Sequence, residues 1–394
     1  MRILSITVFS LLILSISAQN RSITFEHGTW TEIKDKAKKE NKLIFVDAYT
    51  TWCGPCKWMA ANIFTNDTVA DYYNKNFINA KIDMEKGEGI ELAKLYEVSC
   101  YPNLLFIDGN GTLQHRIAGS MPAKDFIALG EAAKDPKQNF SFIKADYQAR
   151  SNKPDAIIKY IRAAENTCLS YGNAVADYFA LVPEKDLTNK ENWEMIRDFS
   201  KDIDSKEFKY LIANKSKYVS LYTEKEVNAK IDAVCKASLN EAIKNKDDAK
   251  FNETKNKVVA LNSANGNQIL FDADLRQAKK KSDWNAYQKL AVENVDKYYS
   301  AQANTLNSIA WDFYEHVSDA TAMAKAEEWS RKSNELNMSY AYLDTYASIL
   351  YKNGKKDLAL QNAEKAIRYA RSEKMTPEDY KETTALMEKI KAMK

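Results

Sequence analysis

The sequence predicts an α/β domain, a central mixed sheet flanked by helices, followed by a larger all-α region. Three observations predict it. Between about residues 19 and 136, short apolar runs rich in β-branched and aromatic residues alternate with stretches of helical period. Beyond Phe140 glycine and proline become scarce, which removes the usual helix breakers. Residues 306–373 contain an internal repeat of helix–turn–helix length.

The elements follow in order. Residues 22–25 are a short strand candidate, and 29–39 read as an amphipathic helix with Trp30, Ile33 and Ala37 on one face. Residues 43–49, a nearly unbroken apolar run, predict a strand buried on both faces. A tight turn holding Cys53 and Cys56 comes next, then a helix to about Phe64. The polar break 65–68 separates that helix from a second piece at 69–76. A strand at 77–83 and a short helix at 90–96 follow. A third strand ends at Ile107, and 108–111 form a hairpin turn of residues that tolerate positive φ. Its partner strand is 112–118. Pro122 marks the start of a helix over 123–133, and 135–139 read as a linker.

The stretch Trp52-Cys53-Gly54-Pro55-Cys56-Lys57 organises this domain. A strand before it and a helix after it turn a bare C-x-x-C into a redox motif. Its alternative is half of a zinc site, which needs two more ligands at suitable spacing. The other cysteines (Cys100, Cys168, Cys235) are single and the histidines (His27, His115, His316) are scattered, so no metal is expected. Asp47 is a carboxylate inside an apolar strand, and a buried acid is costly unless it is satisfied or used.

Residues 40–134 resemble the thioredoxin superfamily, on the run Phe45-Val46-Asp47-Ala48-Tyr49-Thr50-Thr51-Trp52-Cys53-Gly54-Pro55-Cys56-Lys57 and on Tyr96-Glu97-Val98-Ser99-Cys100-Tyr101-Pro102. The inserted residues 62–68 are more similar to the exported branch, including periplasmic disulfide-reductase domains. The resemblance implies a dithiol that works without a bound cofactor, as a redox-active Cys53–Cys56 disulfide. It implies a cis Tyr101–Pro102 bond against the cysteines, exposing the Tyr101 backbone to substrate. Asp47 would then accept the proton of the resolving Cys56. Cytosolic members also carry a lysine near the buried acid, and the sequence alone does not place its equivalent.

The chemistry needs these residue types. A thiolate attacks a disulfide, and Cys53 at a helix start should have a pKa below the free value of about 8.5. Cys56, one turn into the helix, would resolve the mixed disulfide. Gly54 and Pro55 fix the turn, and Trp52 would shield the sulfurs. Catalytic candidates are therefore Cys53, Cys56 and Asp47. Substrate-binding candidates are Trp52, Gly54, Pro55, Tyr101 and Pro102. Cys100 reads as a buried strand residue, with a third exchangeable thiol as the alternative. Cys168 and Cys235 fall on predicted helices and read as buried thiols, with a mutual disulfide as the alternative.

The all-α region reads as helices over 142–150, 154–169, 174–181, 189–202, 205–214, 217–222, 224–245, 247–262, 268–281 and 283–299. Their recurring apolar residues predict packing between paired helices. Residues 326–333 align with 359–366 at an offset of 33, while Ala310 aligns with Ala347 at 37. This resembles tetratricopeptide repeats of about 34 residues. Two such units are too few to stand alone, so the expected organisation is a helical domain over 140–300, repeats over 301–394 and a last helix over 378–391.

Residues 1–18 read as a cleaved targeting segment, with Arg2, an apolar stretch to Ile16, and small residues at 15, 17 and 18; an uncleaved signal anchor is the alternative, disfavoured because the apolar stretch is short for a membrane span. The expected location is periplasmic or secreted. The 394 residues carry 57 Lys+Arg against 54 Asp+Glu, so the charge balance calls for no nucleic acid. Expected partners are protein disulfide substrates, a membrane or periplasmic reductant, and a protein docked on the repeats. The expected activity is thiol–disulfide exchange, with reduction favoured because Gly-Pro lies between the cysteines. A scaffold or redox-sensing interaction protein is the alternative.

Overall fold

The computed structural model describes residues 21–393, so the expected targeting segment lies outside the described residues. The chain divides into two compact units, one ending at Leu187 and the other beginning at Thr188.

The first unit opens with α1 (Trp30–Glu40), whose Thr29 and Glu32 form a reciprocal capping box. Strand β1 (Leu43–Tyr49) leads to α2 (Gly54–Asn62) and α3 (Asp67–Asn76). The break between those helices is an N-cap: Asn66 Oδ1 accepts from the Thr68 and Val69 amides at 3.1 and 3.2 Å. Then come β2 (Phe77–Asp83), α4 (Gly89–Leu95), β3 (Asn103–Ile107), β4 (Leu113–Ala118) and α5 (Ala123–Lys134). The turn between β3 and β4 is held by Asp108 Oδ1, which accepts from the amides of Asn110 (2.8 Å) and Thr112 (2.9 Å). Gly111 takes the φ of 87° that closes it.

The strands lie in the order β2-β1-β3-β4, with β1/β2 parallel and the other two pairs antiparallel. This is the expected central mixed sheet. Alternation along β1 explains its burial on both faces. Ile44, Val46 and Ala48 pack with Trp30, Ile33 and Ala37 of α1 and Leu92 of α4. Phe45 points the other way, into a cluster with Met59 of α2, Phe64 in the turn after it, Tyr73 of α3 and Phe126 of α5. Its ring lies 5.0 Å from Tyr73 and 5.3 Å from Phe126. Asp47 shares the Phe45 side of the strand and therefore lies under α2.

Residues 22–25 do not form the expected strand. They run beside the sheet and make one bridge further on, Glu26 to Ala80. Ile23 instead donates its amide to Phe64 O at 2.8 Å and buries its side chain in the core. Nor is 135–139 a free tether. Helix α6 (Phe140–Ala149) starts at once, capped by Asn139, and the Phe140 amide donates to His115 Nδ1 of β4 at 3.0 Å. Helices α7 (Pro154–Glu165) and α8 (Ala174–Leu181) complete the unit. After α7 the chain returns to the sheet, where the Ala118 amide donates to Asn166 O at 2.8 Å.

The second unit is helical: α9 (Lys190–Phe199), α10 (Lys206–Ala213), α11 (Lys215–Leu221), α12 (Glu224–Asn245), α13 (Asp248–Leu261), α14 (Gly266–Lys280), α15 (Trp284–Tyr299), α16 (Ala303–His316), α17 (Ala320–Leu336), α18 (Tyr340–Lys352), α19 (Lys356–Ser372) and α20 (Lys381–Lys391). The small residues that set the repeat alignment are buried: Ala310, Ala326, Ala347, Ala359, Ala363 and Ala366. They let α16/α17 and α18/α19 pack closely as two helical pairs, consistent with tetratricopeptide-like repeats. Helix α20 starts later than expected, because Asp379 is spent accepting from the Thr376 amide and hydroxyl at 2.7 and 2.8 Å. Among the described residues no helix is long and apolar enough to cross a membrane.

Candidate active site

Cys53 is the N-cap of α2 and Pro55 falls in its first turn, so the turn and the helix start are one structure. Cys53 and Cys56 are joined as a disulfide with their Cα atoms 5.3 Å apart. The Cys56 amide donates to Cys53 Sγ at 3.1 Å. That N–H, with the positive end of the helix dipole, would stabilise negative charge on this sulfur once the pair is reduced. Both residues are nearly covered, at 3% and 2% exposure.

Asp47 is wholly buried, and one carboxylate oxygen is paired with Lys81 Nζ. The other oxygen, Oδ1, has no hydrogen-bond partner. Burial pushes the Asp47 carboxyl above its ordinary value, and the nearby Lys81 charge only partly opposes this. Lys81 stands directly opposite Asp47 in the β1/β2 register. Its ammonium lies 4.3 Å from the Tyr49 ring centroid and 5.5 Å from that of Phe64. This is the lysine the sequence alone did not place. Its signal was present: a single lysine inside strand 77–83 that falls opposite the acid once the two parallel strands are aligned.

The rim of the site comes from three segments. Trp52 is 64% exposed, and its indole N–H donates to Glu85 at 3.0 and 3.1 Å. Its ring meets Tyr101 edge-on, with centroids 5.9 Å apart. The Tyr101–Pro102 bond is cis, and Pro102 O accepts from the Gly119 amide at 2.9 Å. Glu85 is a rim residue that sequence reasoning missed, since nothing in its local pattern distinguishes it. Gly54 opens α2 beside the pair.

Cys100 and Cys168 depart from expectation, while Cys235 is the buried helical thiol the sequence suggests. Cys100 and Cys168 form a second disulfide, with Cα atoms 6.4 Å apart and a sequence separation of 68. Cys168 is not helical: α7 ends at Glu165, and Thr167 Oγ1 turns back to Ala164 O at 2.6 Å. Residue 168 then takes a φ of 57° and reaches the loop before Pro102. Cys235 alone is a buried free thiol on α12, and burial pushes its pKa up to about 12. Among the described residues no group of three or more His, Cys, Asp or Glu is placed to hold a metal ion.

A dithiol at a helix N-terminus, a buried acid–lysine pair beneath it and a cis-proline loop beside it define a domain of the thiol–disulfide oxidoreductase class. The profile of the thioredoxin-like domain family matches residues 31–134, and this chain belongs to that family. It is similar to the chloroplastic thioredoxin Y of Oryza sativa subsp. japonica, 31% identical over 105 residues, covering 27% of this chain and 59% of that protein. Thioredoxin-1 of Saccharomyces cerevisiae is 38% identical over 92 residues, covering 23% of this chain and 80% of the yeast protein. A solved structure of a candidate disulphide-isomerase from Bacteroides thetaiotaomicron is 44% identical, covers 29% of this chain and 96% of that one, and has a TM-score of 0.28.

Proposed function

We propose that this chain is an exported thiol–disulfide oxidoreductase that reduces or exchanges disulfides in envelope proteins, its helical repeats docking a partner. The observation that carries the reading is the disulfide at the start of α2 with Asp47 buried beneath that helix. The Cys53 thiolate attacks one sulfur of a substrate disulfide, and the other substrate sulfur leaves as a thiolate. Cys56 loses its proton to Asp47 and attacks Cys53 Sγ. The second substrate thiolate departs and the Cys53–Cys56 disulfide forms. Two electrons have then passed to the substrate, and a reductant of the dithiol class restores the pair. Asp47 suits the proton step because burial keeps its pKa above that of an ordinary carboxylate. Export rests on the sequence of residues 1–18, and docking on the helical surface of the second unit.

The test is insulin-disulfide reduction together with a Cys56→Ser trap in cell envelopes. Turnover and a set of mixed-disulfide clients support the reading. One stoichiometric partner, retained after both cysteines are changed, replaces it with a scaffold.

A further inference from the structure

We propose that Cys100–Cys168 is a second exchangeable disulfide, open to external dithiols, whose state sets the grip on the loop carrying Tyr101–Pro102. Three observations carry this. First, Cys168 is exposed and Cys100 half-buried, so a thiolate can reach the bond from solvent. Solvent-exposed disulfides are commonly among the labile ones.

Second, the side chain against Cys100 suits a reduced sulfur better than an oxidised one. Asn103 is fully buried. Its Nδ2 donates to Cys100 Sγ at 3.8 Å, while its Oδ1 has no hydrogen-bond partner. A disulfide sulfur is a weak acceptor and no donor, so it leaves that oxygen unsatisfied. A Cys100 thiolate would take a stronger bond from Nδ2, and a Cys100 thiol could donate S–H to Oδ1.

Third, the bond is the covalent part of a strap. The Ser99 hydroxyl donates to Cys168 O at 3.2 Å, and Asn166 O holds the Ala118 amide. Buried Arg116 donates to Tyr96 O at 2.6 Å and Glu97 O at 3.4 Å, bracing the start of the same loop. Glu97 and Cys168 both adopt left-handed backbone, at φ 51° and 57°. Opening the disulfide leaves the hydrogen bonds to hold two segments that each contain a disfavoured residue.

The exchange balances. A thiolate of an external dithiol attacks Cys168 Sγ, and Cys100 leaves as a thiolate beside Asn103. The second sulfur of the dithiol then attacks the first, releasing the Cys168 thiolate. The dithiol becomes a disulfide, and two electrons reside on Cys100 and Cys168, which take up protons according to pH.

The test uses the full chain carrying Cys53→Ser and Cys56→Ser, so it is independent of any activity at that pair. The protein is poised in graded reduced and oxidised dithiothreitol without denaturant, alkylated and weighed intact, with circular dichroism reporting the fold. Two labels on Cys100 and Cys168, with Cys235 unlabelled and the spectrum unchanged, are expected. Labelling that appears only together with Cys235, as the fold is lost, overturns the proposal. Asn103→Leu should shift the equilibrium about tenfold toward the disulfide, about 30 mV for two electrons. An unshifted midpoint removes Asn103 from the account. Amide exchange over residues 97–103 should quicken about tenfold on reduction, and unchanged protection would overturn the link to the loop.

Discussion

The two disulfides of the first unit make opposite use of sequence. Cys53–Cys56 closes within one helical turn, nearly covered, above a buried acid. Cys100–Cys168 spans 68 positions, reaches solvent and joins a loop to the turn that follows α7. The first is written locally: strand, turn and helix start fix where both sulfurs lie. The second exists only because α7 stops at Glu165 and the chain returns to β4. The contrast separates a pair placed by local sequence from one that only the tertiary return of the chain creates.

Removing the nucleophile is the sharpest way to break that contrast. Cys53→Ser should reduce insulin-disulfide turnover to the uncatalysed rate, while Cys100→Ser/Cys168→Ser should retain turnover. Loss of turnover in the paired variant alone would reverse the assignment.

The paired variant should show its effect in stability instead. Releasing a loop of this length costs about 4 kcal/mol in the chain-entropy estimate, lowering the denaturation midpoint of the first unit. Chemical denaturation of the oxidised and paired-variant chains measures it.

Asp47→Asn should slow resolution of the mixed disulfide about a hundredfold, read by the accumulation of trapped intermediate. It carries a stability signature of definite sign. The Asp47 pKa is raised in the folded state, so the folded chain binds more protons than the unfolded one above the unfolded value of about 3.9. The wild type therefore loses stability as pH rises from there through the raised folded value. Asp47→Asn, which cannot ionise, should gain on the wild type across that rise and lose its advantage below about pH 4. An advantage that instead grew toward acid would show that pairing with Lys81 outweighs burial.

The smallest effect is at the rim. Trp52→Phe removes the hydrogen bond to Glu85 and should change insulin turnover about threefold, as for an exposed hydrogen bond.

Much of this molecule was legible because its signals are short-range. The run 43–49 announces a strand buried on both faces, and its alternation sends Phe45 and Asp47 to the α2 side. The expected site residues Cys53, Cys56, Asp47, Trp52, Tyr101 and Pro102 come from β1, the turn and one loop, and the fold joins Cys53 to Cys56 and sets Trp52 against Tyr101. What stayed hidden depends on register and tertiary return. Lys81 meets Asp47 only after β1 and β2 are aligned in parallel. Residues 22–25 have strand-like composition, yet Ile23 is claimed by the core and no ladder forms. Helical periodicity carries through 154–169, but Thr167 turns back onto Ala164 and frees Cys168 to find Cys100.

The most direct test of the account is the reduction potential of the Cys53–Cys56 pair in the full chain, measured by equilibration against a dithiol buffer. A value near −270 mV, as for a reductant of the thioredoxin type, is the predicted result. A value near −120 mV, that of a strong oxidant, would contradict it.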